Sequence, residues 1–294
     1  MQTEKVTIIG AGPGGIAAAI QLKRWGIEPV LLEKDHVGGL LVNANLVENY
    51  PGFPQGISGP ELIRLFESQM QHTGVTVSFE EVLQVDYDQN FILKTSRREF
   101  GSRFVIIASG TRPRPFTTFE IPANAAERVF YEVYQLVELK GQRIAIIGAG
   151  DAAFDYALNL AGRENEITIL NRKAKPKCLP LLWERAQQSS RITYDEDTSI
   201  TDIQRSGEGL ELKCGNSRGD WELGADYVIL AIGRNPQDDF LSGQLRKRTQ
   251  KLENEGLLYF VGDVKNDIYR QATIAIGDGV RAAMRICQML EGND

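Results

Sequence analysis

Three glycines, Gly10, Gly12 and Gly15, fill a G-x-G-x-x-G at the end of the apolar run VTIIG. Gly10 permits a tight turn, Gly12 lets a diphosphate approach the backbone, and Gly15 lets the following helix pack closely on the strand. N–H groups exposed at such a helix start, together with its dipole, attract an anion. Glu33 ends the next apolar run, where a carboxylate accepts hydrogen bonds from ribose hydroxyls. This spacing is suited to capturing a dinucleotide. A second copy follows: residues 6–22, VTIIGAGPGGIAAAIQL, align without gaps on residues 144–160, IAIIGAGDAAFDYALNL. Its glycines are Gly148 and Gly150, with Ala153 in third place. No acid closes the second strand of this copy; Asn171, Arg172 and Lys173 stand there, with Lys177 beyond them. A carboxylate would repel a 2′-phosphate, whereas a neutral residue followed by cations accepts one. The second site therefore predicts NADPH.

Reactive side chains are scarce. The cysteines are Cys178, Cys214 and Cys287 and the histidines His36 and His72, all far apart. No C-x-x-C, zinc-ligand spacing or G-x-S-x-G nucleophile occurs. The cysteines are expected to be inert core residues, and the histidines solvated or capping. Chemistry must then come from bound cofactors. With two dinucleotide sites, one holds FAD permanently and the other docks the nicotinamide that delivers hydride. A net charge of −6 argues against general nucleic-acid binding. Apolar runs all end well short of ~18 residues, which predicts no membrane span. The N-terminus enters a strand without a signal-peptide pattern, so a cytoplasmic location is expected.

These residues need elements to position them. Hydrophobic residues at 42% and charged residues at 24% exclude disorder and leave a globular chain. Strand 6–10 should enter a helix over about 14–25, ended by Gly26, followed by strand 29–33. Helix 60–73 should bury Leu62, Leu65, Phe66 and Met70. Strands near 75–79, 82–87 and 91–95 lead to a closing strand at 104–109. The second half predicts strand 143–148, helix 151–161, strand 166–170 and strands between 191 and 232, and the last helix spans about 271–290. Closing strands VIIASG (105–110) and VILAIG (228–233) match, and each is followed by a proline-bearing connector, TRPRPF (111–116) and GRNPQ (233–237). The expected fold is α/β: two Rossmann-like dinucleotide-binding domains of three-layer ββα type. A discontinuous FAD-binding domain (1–114 and 237–294) carries an inserted NAD(P)H-binding domain (115–236), with the two connectors as hinges.

The chain resembles the low-molecular-weight, two-domain branch of the thioredoxin-reductase-like flavoproteins over nearly its full length. The resemblance lies in GAGPGG (10–15), VENYPGFP (47–54), GPEL (59–62), ASGTRPR (108–114), GAGDAA (148–153), VGD (261–263) and RQATIAIGDG (270–279). It implies a FAD site that includes Pro13, Lys34, Gly39, Leu40, Asn49, Val82, Ala108 and Gly110 beside the first glycines and Glu33. Asp263 would bind the ribityl chain, and the backbone of Gln271 and Ala272 would face the pyrimidine edge of the flavin. Asp151, Ala152 and Gly233 would join the second glycine set around NADPH. The family's His-Arg-Arg with a further Arg reads here as Asn171, Arg172, Lys173 and Lys177, and its flavin-side glutamine as Leu40.

One departure bears on function. Family members carry a C-x-x-C shortly before the second glycine motif, and counting back from Gly148 puts Tyr131 and Tyr134 in those places. Tyrosine cannot relay two electrons as a dithiol. The stretch is similar to thioredoxin-reductase-type ferredoxin–NADP⁺ reductases, which keep a Tyr at the place of Tyr131. The expectation is a FAD-dependent NADPH oxidoreductase without a redox disulfide. It would pass electrons to ferredoxin, flavodoxin or a quinone, with Tyr131 and Tyr134 as flavin-facing residues, and the resemblance implies a homodimer. Two alternatives stay open: a disulfide reductase using thiols of a partner, and a flavin-binding redox sensor that no longer turns over.

Overall fold

The computed structural model describes residues 3–292. Strand β1 (Thr3–Ile9) leads through the glycine turn into α1 (Pro13–Arg24), whose first-turn proline has its φ pre-set for a helix. β2 (Pro29–Glu33) pairs parallel with β1. Helix α2 (Gly59–Thr73) opens on a capping box between Ser58 and Glu61 and stops at Gly74, which adopts the left-handed conformation. β3 (Val77–Phe79) joins the β2 edge. β4 (Val82–Tyr87) and β5 (Phe91–Thr95) form an antiparallel meander with the first part of β6 (Glu99–Ile107), whose later residues run parallel to β1.

After β7 (Thr111–Pro113) come the short α3 (Ala123–Ala126) and β8 (Val129–Phe130). The second glycine turn joins β9 (Arg143–Ile147) to α4 (Asp151–Ala161). β10 (Glu166–Leu170), α5 (Pro180–Gln188) and β11 (Ile192–Asp195) complete the βαβ unit. A second meander follows, β12 (Ser199–Ser206), β13 (Gly209–Asn216) and β14 (Gly219–Ala225), before β15 (Tyr227–Leu230) returns to β9. β16 (Arg234–Pro236), α6 (Gly243–Arg246), α7 (Thr249–Asn254), β17 (Leu258–Phe260) beside β6, and α8 (Ala272–Glu291) end the chain. The two connector strands, β7 and β16, pair with each other.

Contacts divide the chain into two units. The first holds the stretch up to Val42, Val47–Arg112 and everything from Asn235; the second holds Asn43–Leu46 and Pro113–Arg234. Side-chain alternation along the parallel strands builds three layers in each. In the first, Ile8, Leu31, Phe104 and Ile106 face α1, α2 and α8, while Ile9, Leu32, Val105 and Ile107 face the meander residues Phe91, Leu93 and Phe100. In the second, Ile144, Ile146 and Ile169 pack with Phe154 and Leu160 of α4, while Ala145, Val228 and Leu230 pack with Ile203 and Leu212. Buried on both faces, such strands are mainly apolar, and the buried Thr7 of β1 satisfies its hydroxyl by donating to Ser102 at 2.9 Å. The three-layer ββα plan holds in both units.

Two local expectations are corrected. Leu65 is 49% exposed; the buried stripe of α2 is Leu62, Ile63, Phe66 and Met70. Strand β6 begins at Glu99 rather than 104, because its first residues serve the meander and their small Gly101 and Ser102 blur the apolar pattern. Among the described residues, no helix is long and apolar enough to cross a membrane.

Candidate dinucleotide sites

The first turn is set by contact. Gly10 has φ +104°, and a Cβ there would lie 2.4 Å from the Ala108 carbonyl oxygen; a Cβ on Gly15 would lie 1.9 Å from the Gly10 oxygen. No other residue type fits either place without moving the backbone. At Gly12 a Cβ would meet nothing within 4 Å, so the backbone faces open space there. Among the described residues no side chain caps α1, and its first turn holds no acid, which leaves its start electropositive. Glu33 closes the site: one carboxylate oxygen accepts the Ala11 N–H at 2.8 Å, and the other accepts those of Lys34 and Asp35 at 2.8 and 3.0 Å. Beside it is a cavity of about 60 Å³ whose lining includes Gly10, Glu33, Lys34, Val82, Ser109 and Gln237.

The fold also gathers the remaining first-site residues. Gly39 has φ +52°, and a Cβ there would lie 3.6 Å from the Gly12 Cα. Leu40 is half-buried in the short helical turn that Gly39 opens. His36 bonds the Gly39 carbonyl oxygen through Nε2 at 3.2 Å, as a loop-tying residue. Gly110, at φ +67°, accepts the Gln237 N–H at 3.0 Å. Asn49 donates through Nδ2 to the Gln271 side-chain oxygen at 2.8 Å, joining residues 222 positions apart at the start of α8. Gln271 is the N-cap and Ala272 the first residue of that helix. Helices α1 and α8 meet through glycine: a Cβ on Gly279 would lie 2.0 Å from the Gly14 oxygen.

Sequence reasoning missed two residues here. Asp278 accepts the Gly262 N–H at 3.2 Å and the Asn266 side-chain amide at 2.7 Å, and so holds the turn that carries Asp263. The Nε of Arg270 is buried and bonds no described residue, so a polar group there waits for an acceptor. Both lie inside RQATIAIGDG, so that motif already held the signal. The open Gly12 backbone, the uncapped α1 and the orphaned Arg270 Nε fit a bound FAD. Gly10, Gly12, Pro13 and Gly15 would face its diphosphate and Glu33 its ribose.

The second turn repeats the first with changes. Gly148 has φ +118°, and a Cβ would lie 2.3 Å from the Ala231 oxygen. Gly150 caps α4 and bridges to Lys177. Ala153 is fully buried, and its methyl is accommodated where Gly15 tolerates none. Asp151 and Ala152 are exposed, and Asp151 accepts the Leu179 N–H at 2.7 Å. Gly233, at φ +105°, accepts the Arg114 N–H at 3.0 Å. Arg172, Lys173 and Lys177 are exposed, whereas Asn171 is buried with its amide bonded inside the protein. Asn171 thus shapes the loop from below, with the cations standing outside. An exposed cationic loop beside a glycine turn fits the 2′-phosphate and diphosphate of NADPH.

Residues 131–134 belong to the second unit. Tyr131 packs against the meander core, and its hydroxyl accepts the Phe116 N–H at 3.2 Å. The Tyr134 N–H donates to the Asn43 side-chain oxygen at 3.1 Å. Between them, Glu132 pairs with Arg234 and accepts from Asn43 at 2.8 Å and Tyr156 at 3.3 Å. Burial and the nearby Glu132 push the Tyr156 phenol well above its ordinary range. The cysteines are far from activated. Burial raises the Cys214 thiol to about 11, and burial also leads the upward shifts of Cys178 and Cys287. All three are free.

Two glycine turns, each on its own parallel sheet backed by a meander, define a two-dinucleotide α/β oxidoreductase. The chain belongs to the pyridine nucleotide-disulphide oxidoreductase family, whose sequence model matches residues 4–279. It is 30% identical to the thioredoxin reductase of Chlamydia pneumoniae, over 95% of this chain and 96% of that one. Against the thioredoxin reductase of Rickettsia conorii it is 28% identical over 96% of each. The crystal structure of Lactococcus lactis thioredoxin reductase superposes with a TM-score of 0.86 at 26% identity, covering 98% of this chain and 99% of that one. The chain is accordingly a thioredoxin-reductase-like oxidoreductase using FAD and NADPH.

Proposed function

We propose that this protein moves electrons from NADPH through FAD to an external acceptor without a thiol of its own. FAD supplies the hydride-accepting and electron-donating chemistry when bound. In this reading the first unit is the FAD-binding domain and the second the NADPH-binding domain. The residues gathered at each glycine turn are the cofactor contacts. The acceptor is a small electron-carrier protein such as ferredoxin or flavodoxin, or a quinone, and the working form is a cytoplasmic homodimer.

One observation carries this reading. Glu132, between the two tyrosines that the resemblance aligns with a dithiol, is ion-paired, and every cysteine is elsewhere with a raised pKa. A thiol held above its ordinary pKa is a poor nucleophile at neutral pH. In this reading Tyr131 and Tyr134 serve as packing residues rather than as electron relays. The second reading, a disulfide reductase that uses thiols of a partner, draws on the relatives, which are thioredoxin reductases.

The test is a cysteine-free protein: Cys178→Ser at the half-buried site, with Cys214→Ala and Cys287→Ala at the buried ones. Alanine avoids an unpaired buried hydroxyl. The folded, FAD-loaded variant is expected to reduce ferricyanide or a quinone with NADPH at the wild-type rate. Loss of that activity with FAD retained would reject the thiol-free route. Wild-type protein that oxidises no NADPH with any acceptor would instead make it a redox sensor.

A further inference from the structure

The basic loop of the second unit is built from beneath. Asn171 is 7% exposed. Its Nδ2 donates to the Lys175 carbonyl at 3.0 Å and to the Tyr194 hydroxyl oxygen at 2.7 Å, and its Oδ1 accepts the Lys173 N–H at 3.2 Å. Two backbone bonds add to this. Lys177 donates its N–H to Ala149 in the glycine turn at 2.8 Å, and Asp197 donates its own to Lys173 at 3.3 Å. Tyr194 is itself immobilised, edge-on to Trp183 at 4.9 Å and 6.0 Å from the fully buried Phe154. A continuous chain of contacts therefore runs from the aromatic core through one hydroxyl and one amide to the loop backbone.

What the loop displays makes its position matter. Arg172, Lys173, Lys175 and Lys177 are exposed, and none forms an ion pair with a described residue. The next turn carries Asp195, Glu196 and Asp197, and Lys175 shares a cavity lining with the first two. A doubly charged phosphate approaching here meets cations or carboxylates according to how the loop is held. A displacement of a few ångströms would change the sign of the field it meets.

We propose that Tyr194 and Asn171 are positioning residues for a 2′-phosphorylated nucleotide, holding the loop so that its cations face the phosphate ahead of the neighbouring carboxylates. The inference rests on the reading of the second turn as the NADPH site. Neither residue touches the nucleotide; each acts through the main chain of Lys173 and Lys175.

The experiment titrates FAD-loaded protein with 2′,5′-ADP and with 5′-AMP, which differ only in the 2′-phosphate. Tyr194→Phe keeps the ring on Trp183 and removes only the hydroxyl. It is expected to weaken 2′,5′-ADP about five- to tenfold and to leave 5′-AMP unchanged, as loss of one well-formed hydrogen bond in a charged site predicts. Asn171→Ala should weaken 2′,5′-ADP further. Limited trypsin digestion reads the loop directly, with faster cleavage after Arg172 and Lys173 in both variants. Wild-type affinity for 2′,5′-ADP in Tyr194→Phe and Asn171→Ala, with wild-type cleavage rates, overturns the positioning role alone. Failure of the wild-type protein to distinguish the two nucleotides overturns the NADPH reading itself, and this inference with it.

Discussion

The two glycine turns have the same backbone and different surroundings. Gly10 and Gly148 donate their N–H groups to Leu32 and Leu170 at 2.8 and 3.0 Å, and both have strongly positive φ. Both also crowd a carbonyl of the closing strand. Around this shared core the residues diverge. Pro13 faces Asp151 in the alignment, Gly15 faces Ala153, Ala17 faces Asp155, and Glu33 corresponds to Asn171. The first turn has no acid at the helix start and holds a carboxylate on three backbone N–H groups. The second accepts an acid there and holds a neutral amide beneath exposed cations. The steric demand at the first glycine is therefore common to both turns, while the third position and the end of the second strand set them apart.

The sharpest way to break this comparison is to exchange the third-glycine residues. Gly15→Ala drives a Cβ into the Gly10 carbonyl and is expected to cost about 3 kcal/mol or more, with loss of bound FAD. The reverse exchange, Ala153→Gly, should cost only about 1 kcal/mol, mainly helix propensity. Thermal unfolding and the flavin absorbance of purified protein read both. Equal losses would mean that the two helices pack on their strands alike.

Charge at the second-strand end comes next in size. Arg172→Ala should remove about 1.5–3 kcal/mol of NADPH binding, the range for a charged hydrogen bond, and leave NADH nearly unchanged. Isothermal titration of both nucleotides measures this, and an equal loss for the two would move the 2′-phosphate away from the loop.

The smallest effect concerns Asp155, the counterpart of Ala17. Its carboxyl is pushed up to about 6, chiefly by burial, against two backbone hydrogen bonds, from Asn45 and Leu46, that favour the charged form. A folded pKa above the unfolded one means that the folded state binds the extra proton between them. The stability this group contributes is thus complete below about pH 4 and is lost as pH rises through about 6. Asp155→Asn should flatten the pH dependence of unfolding across that window by on the order of 1 kcal/mol. An unchanged profile in chemical denaturation between pH 4 and 7 would place the titration elsewhere.

Much of the architecture was legible in the sequence for local reasons. A continuous apolar strand, a glycine whose φ must be positive and an amphipathic helix are determined by neighbours in the chain. Both βαβ units, the closing strands and the cationic end at Arg172 and Lys173 could therefore be read directly. The absence of a C-x-x-C needed only inspection of three cysteines.

Tertiary structure decided what depends on partners far along the chain. It turned Asn171 inward, because Tyr194 lies where strand pairing of β10 with β11 puts it. It brought Asn49 to Gln271, left Arg270 Nε buried without an acceptor among the described residues, and gave Asp278 the turn that carries Asp263. It also exposed Leu65 and lengthened β6, since a helix face is chosen by what packs on it and a strand lasts as long as it has neighbours to bond. Periodicity and backbone sterics act over a few residues and leave their mark in composition. The direction of a side-chain amide or the burial of one guanidinium nitrogen is settled only when distant segments meet.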